Sequence, residues 1–269
     1  MKANIKNLII LAFPITLMIC SMGLHAQKPT KEEKKASRKA RKQEKIDKGK
    51  LMIMPLAGPA YTPELQLTLA GGIMISFKTN PKDSLIQRSS SPLMLGVSTT
   101  GAYFFGTKFT SFWLKDKLRI YADLNFKNMP DNYWGVGYDE GYNTVKDSDT
   151  TAYTRTWWQI NPKILWQFKK NLFIGPSIDF NYTRGSKAST GVAEDPFYQE
   201  FNDKPFNSGM GLVFQYDSRD VPVNAWKGAF VEVSGTFYGP YLGGDNTYQV
   251  LVIDLRKYWN IKKRKGQTI

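Results

Sequence analysis

From Leu65 to Tyr258, stretch after stretch of the chain alternates apolar and polar residues with a period of two. In residues 206–217, Met210, Leu212, Phe214 and Tyr216 share one phase, and Gly209, Gly211, Val213, Gln215 and Asp217 share the other. Successive side chains of an extended strand point to opposite faces, so such a stretch has one apolar face and one polar or small face. In 228–239, Val231, Val233 and Phe237 oppose Glu232, Ser234 and Thr236; in 247–260, Leu251, Ile253 and Leu255 oppose Val250, Val252, Asp254 and Arg256. The pattern returns in 65–78, in 117–128, where Leu118, Ile120 and Ala122 oppose Arg119, Tyr121 and Asp123, and in 152–168. With further strand-like stretches at 51–61, 92–105, 107–115 and 171–184, ten strands are predicted, of which 51–61 is the least regular.

Soluble sheets also alternate, and a β-sandwich or lipocalin-like barrel is the competing fold. Three features favour a membrane. The strands reach the length of about 9 to 11 residues that a tilted strand needs to cross a bilayer. Aromatic residues (Tyr216, Phe237, Tyr238, Tyr241, Tyr258 and Trp259) collect at strand ends, where an amphipathic ring bridges hydrocarbon and headgroups. No helix is predicted between strands. The expected fold is therefore all-β: an antiparallel up-and-down transmembrane β-barrel, with about ten strands present. The two longest connections, 129–151 and 185–205, are separated by two strands and a tight Lys169-Lys170 turn, so they share one side. With the N-terminus in the periplasm, that side is extracellular, as barrels keep their long loops outside.

Composition divides the chain into three segments. Residues 1–26 read as a signal peptide: Lys2 and Lys6, an apolar run from Leu8 to Ile19, and a small-residue exit at Ala26. A lipoprotein reading would use Cys20, but Ile19 stands where a small residue is needed, and the apolar run is short for a retained anchor. Cleavage at Gln27 would remove the only cysteine and the only histidine, excluding disulfides, thiol or imidazole catalysis and Cys/His metal sites; no cofactor is expected. Residues 27–50 hold eleven basic and four acidic residues and almost nothing apolar, so they read as a basic periplasmic linker, either disordered or a solvated helix. The chain carries +14 overall, yet residues 51–261, the body of the barrel domain 51–269, carry only +1, because the run Lys262-Lys263-Arg264-Lys265 takes four more. Behind a secretion signal, attraction of residues 27–50 to anionic lipid headgroups is favoured over a nucleic-acid arm, and a plain solvated linker is the leading reading.

The turn after the eighth strand reads Asp217-Ser218-Arg219-Asp220-Val221-Pro222-Val223-Asn224-Ala225-Trp226-Lys227-Gly228. With Tyr61-Thr62-Pro63-Glu64 before it and Leu242-Gly243-Gly244-Asp245 after it, the chain resembles the BamA/TamA family of outer-membrane assembly barrels, in the bacterial surface antigen superfamily. The resemblance covers about 51–261 and is strongest from 206 onward. Asn132 to Tyr138 is similar to an aromatic-glycine element of such barrels. Usual members carry periplasmic POTRA domains ahead of the barrel; the 24 residues between the predicted cleavage site and the barrel are too few for one. The family's further strands and its Arg-Gly-Phe type motif are also not found, so a C-terminally truncated barrel is expected.

The resemblance implies an outer-membrane location and insertion or translocation of other outer-membrane proteins, which would be its clients, by a barrel whose weak seam opens laterally. A passive porin-like or structural barrel is the alternative. Asp123, Asp179, Glu232, Asp254, Arg155 and Arg256 face the lumen by phase and can pair across strands. Paired carboxylates also occur in glycosidases, but without histidine and on strands that lumen polarity explains, no enzyme is expected. Within the turn, Asp217 and Asp220 flank Arg219 and are expected to bond to it, with Pro222 stiffening the loop and Gly228 letting the chain re-enter the sheet. A structural, periplasmic role is expected there.

Overall fold

A computed structural model describes residues 30–83, 86–222 and 224–259. The predicted signal peptide, with Cys20 and His25, Val223 and the basic run 262–265 lie outside the described residues. The chain divides into two units, residues 1–44 and 45–269. In the first, the polar linker is helical rather than disordered: helix α1 spans Lys31–Asp47 and continues into the second unit. A capping box starts it, Thr30 N donating to Glu33 Oε2 (2.8 Å) and Glu33 N to Thr30 Oγ1 (3.2 Å).

The second unit is one ten-stranded antiparallel sheet in sequential order. Its strands are β1 Met52–Thr62, β2 Gln66–Phe77, β3 Ser89–Ser98, β4 Tyr103–Trp113, β5 Leu118–Asn132, β6 Ala152–Lys169, β7 Leu172–Ser186, β8 Phe206–Asp217, β9 Gly228–Tyr238 and β10 Tyr248–Tyr258. Every connection joins neighbours, the up-and-down arrangement expected from the alternation. Among the described residues β1 pairs only with β2 and β10 only with β9, so the sheet does not close. The long loops emerge at one end, and the turns 114–117, 170–171 and 218–227 at the other, the turn end.

Two expectations need correction. The third and fourth strands were expected at 92–105 and 107–115, with Gly106 between them; the turn instead falls at 99–102. Gly101 takes φ +80° there and its N–H bonds Ser98 O at 3.1 Å, whereas Gly106 sits inside β4 opposite Met94. The connections are also not helix-free. Short helices α2 Tyr138–Asn143, α3 Thr190–Ala193 and α4 Pro196–Asn202 lie in the two long loops, and a 3₁₀ turn, Pro240–Leu242, lies in the last. They run between antiparallel neighbours and span no crossover.

Burial follows the alternation. On β8, Met210, Leu212 and Phe214 are exposed while Val213, Gln215 and Asp217 are buried. On β10, Leu251 and Leu255 remain 68% and 70% exposed, an apolar outer band that water would not stabilise and hydrocarbon would. The inner faces converge. On a flat sheet, strands three positions apart lie about 14 Å apart with parallel side chains. Here Arg119 of β5 reaches Asp217 of β8 at 2.7 Å, and Lys163 of β6 reaches Glu232 of β9 at 2.9 Å, so the sheet curls around a lumen.

Candidate functional site

The lumen at the turn end is filled by side chains. Leu165, Phe173 and Val213 form a fully buried cluster with Tyr121 packed against it. Arg119, 3% exposed, lies beside it with its guanidinium carbon 3.9 Å from the Phe173 ring centroid and 5.3 Å from that of Phe112. A buried cation is tolerated only when its donors are used. Those of Arg119 are: Nε and Nη2 donate to the two oxygens of Asp116 at 2.9 and 2.7 Å, and Nη1 donates to Asp217 Oδ2.

Asp217 is shared between two arginines. Arg219 Nε donates to its Oδ1 at 2.8 Å and Nη2 to its Oδ2 at 3.0 Å, the two-pronged geometry of a strong ion pair. Arg219 Nη1 also donates to Pro222 O at 2.8 Å, and its guanidinium stacks 4.3 Å from the Phe230 centroid. Asp220 behaves differently from the expectation that both acids bond Arg219. Its Oδ1 accepts backbone N–H groups from Trp226 (2.9 Å), Val221 (3.0 Å) and Lys227 (3.3 Å), because the turn folds its own donors back onto the carboxylate. Partial burial would raise this carboxyl, but those N–H bonds outweigh it and hold it below the usual carboxylate range. Gly228 takes φ +112°, and a Cβ there would run into Ser218 O and the Arg219 backbone.

The other two motifs lie at the long-loop end and are not brought to this cluster. Tyr61, 72% exposed, lies near the end of β1 opposite Leu67, and Pro63 and Glu64 form the β1–β2 turn. Gly243, at φ +80°, ends the 3₁₀ turn, and Asp245 ties that loop to β8 by accepting from Phe206 N (2.8 Å) and donating its own N–H to Phe206 O (2.7 Å).

Between these ends, an inner cavity of 220 Å³ is bordered by Lys108, Asp123, Lys163, Glu232, Asp254 and Arg256. Lys163 pairs with Glu232, Arg256 with Asp254, and Lys108 lies 3.8 Å from Asp123. Of the other acids expected in the lumen, Asp179 accepts from Tyr238 Oη at 2.6 Å and from Gln159 Nε2 at 2.9 Å; Arg155 pairs with Asp131 on the adjacent strand.

The two long loops interlock. Tyr133 Oη donates to Asp195 Oδ1 at 3.0 Å, the same oxygen that caps α4 through Tyr198 N at 2.8 Å. The Tyr133 and Tyr153 rings both pack on Tyr198, which covers Gly185 on β7. Burial, then the Asp195 carboxylate, pushes the Tyr133 hydroxyl up to about 12.

Arg119 and Asp116 were not singled out from sequence. Arg119 stood in the polar phase of its strand, a signal of lumen position; its partner, 98 residues away, left no local trace.

No curated protein matches the chain. Among solved structures, it is similar to BamA from Haemophilus ducreyi lacking POTRA domains 1–3, at 11% identity and a TM-score of 0.46, over 86% of this chain and 47% of that one. The chain thus spans about half the length of that structure. The profile of the Omp85 superfamily domain matches residues 92–269, which is well over half of the chain. This chain belongs to the Omp85 superfamily and is an outer-membrane protein of that type.

Proposed function

We propose that the chain takes part in inserting or translocating other proteins at the outer membrane, with the turn end in the periplasm and the Asp217-to-Gly228 turn in a structural role. The observation that carries this reading is the Omp85 superfamily domain across 92–269. Two features of the lumen favour it over a passive pore. Porin interiors hold a water-filled channel, and selective pores line a constriction with one sign of charge. Here the turn end is packed with Phe112, Leu165, Phe173 and Val213, and the charges above it are paired cation to acid.

The β1 edge supports the lateral-opening part of the reading. Pro55 and Pro59 lie four residues apart in the same phase of β1, opposite Ile73 and Leu69. A proline is tolerated in an antiparallel pair where its nitrogen faces away from the partner. Both nitrogens therefore face the open edge, which offers fewer N–H donors to any strand that pairs there. A seam formed on this edge is weaker than its neighbours. Depletion of the full-length protein in cells tests the function: loss of other barrels from the outer membrane is expected, whereas unchanged barrels with altered solute uptake would establish the porin-like alternative.

A further inference from the structure

Helix α1 is amphipathic in charge rather than in hydrophobicity. At 3.6 residues per turn, all eight of its basic residues, from Lys31 to Lys45, fall within roughly 160° of arc. The opposite side carries Glu32, Glu33, Ala36, Ala40, Gln43 and Glu44. Residues 31–45 are exposed. The arrangement opposes local helix stability, since like charges three and four residues apart repel. A helix that only linked two segments would gain by mixing its signs around the axis, so the segregated face calls for an anionic surface.

The C-terminal end of the helix is anchored. Gly49, at φ +61°, closes it with its N–H on Ile46 O at 3.0 Å. Arg88, just before β3, donates to Ile46 O (3.3 Å) and Lys50 O (2.9 Å), and Lys78 N donates to Gly49 O (3.2 Å). Residues 46–50 are thereby fastened to the turn end of β2 and β3, where membrane-crossing strands leave the bilayer. Four residues separate the helix from β1, a reach of no more than about 14 Å.

We propose that the basic face of α1 is a docking surface for anionic phospholipid headgroups of the leaflet at the turn end. The contacts at Ile46, Gly49 and Lys50 tether the C-terminal end of the helix at the turn end, and a lysine or arginine that comes within a screening length of about 8 Å of anionic headgroups is attracted to them. This reading rests on the strands crossing a membrane, not on the assembly role.

The test reconstitutes the full chain, with Cys20→Ser and Ser37→Cys for a fluorophore, into nanodiscs carrying nitroxide-headgroup lipid. The lipid is phosphatidylcholine alone or phosphatidylcholine with phosphatidylglycerol. Stronger quenching is expected in the anionic discs. It should fall to the zwitterionic level in salt near 1 M, where screening shortens to about 3 Å, and in the K34Q/R38Q/R41Q/K45Q variant. Folding of each sample is checked by its heat-modifiable gel band, so loss of the barrel is distinguished from loss of docking. Equal quenching in both lipids, or quenching indifferent to salt, would overturn the proposal. So would retention of the detergent-solubilised protein by purified peptidoglycan together with no lipid dependence, which would assign the stripe to the cell wall.

Discussion

Arg119 touches two carboxylates and two aromatic rings, and its side chain is 4% exposed, whereas Arg219 is 11% exposed and shares its acid. Removing Arg219 leaves Asp217 still paired with Arg119, and Asp220 still held by the backbone N–H groups of its own turn. Arg219→Ala should therefore cost about 1–3 kcal/mol, and Arg119→Ala, which strips a buried pair at both ends, about 3–5 kcal/mol. The heat midpoint of the folded band on a semi-native gel should fall in that order. An equal or reversed order would show that Asp217 depends chiefly on Arg219. Asp220 adds a pH dependence of known sign. Its folded pKa lies below the unfolded value of about 3.9, so its stabilisation is complete above that value and is lost as pH falls through the folded one. Asp220→Asn should flatten the decline of the heat midpoint below about pH 4; an unchanged decline would assign it to other carboxylates. At this scale the sequence was informative within the turn, where Asp217 and Arg219 are two residues apart. It was silent on Arg119 with Asp217, because that pairing is created only by the curl of the sheet.

Strand β8 was legible to the residue, since a polar or small residue sits at nearly every second position and Asp217 and Phe206 adjoin turn chemistry. Strands β3 and β4 were displaced because Leu93, Leu95 and Val97 run without a strong polar break through Thr99 and Thr100, and Gly106 is the more conspicuous glycine. Positive φ at Gly101 decided the turn. The loop helices were hidden for another reason: α4 spans only seven residues, and its cap, Asp195, is stabilised by Tyr133 from a different loop. That dependence has a consequence. Asp195→Ala removes an N-cap, at about 0.5–2 kcal/mol, together with the bond joining the loops. Limited proteolysis of reconstituted protein should then cut 185–205 faster with little change in the heat midpoint of the barrel. A large fall in that midpoint would mean that the loops brace the sheet itself.

Across the whole molecule, period-two alternation translated directly into the sequential ten-stranded sheet, because only nearest neighbours pair and no crossover had to be inferred. Orientation rests on parity: ten strands with a periplasmic N-terminus put 133–151 and 187–205 outside and 218–227 inside. Substituted-cysteine labelling in intact cells tests this most directly, with a membrane-impermeant maleimide applied to full-length protein carrying Cys20→Ser. Val145→Cys, at a position 79% exposed in the first long loop, should label from outside. Asn224→Cys, in the turn that holds Arg219, should label only after the outer membrane is opened. Labelling of Asn224→Cys in intact cells, with Val145→Cys protected, would invert the topology and place the Arg119–Asp217 cluster on the cell surface; labelling of both would contradict a membrane-spanning sheet.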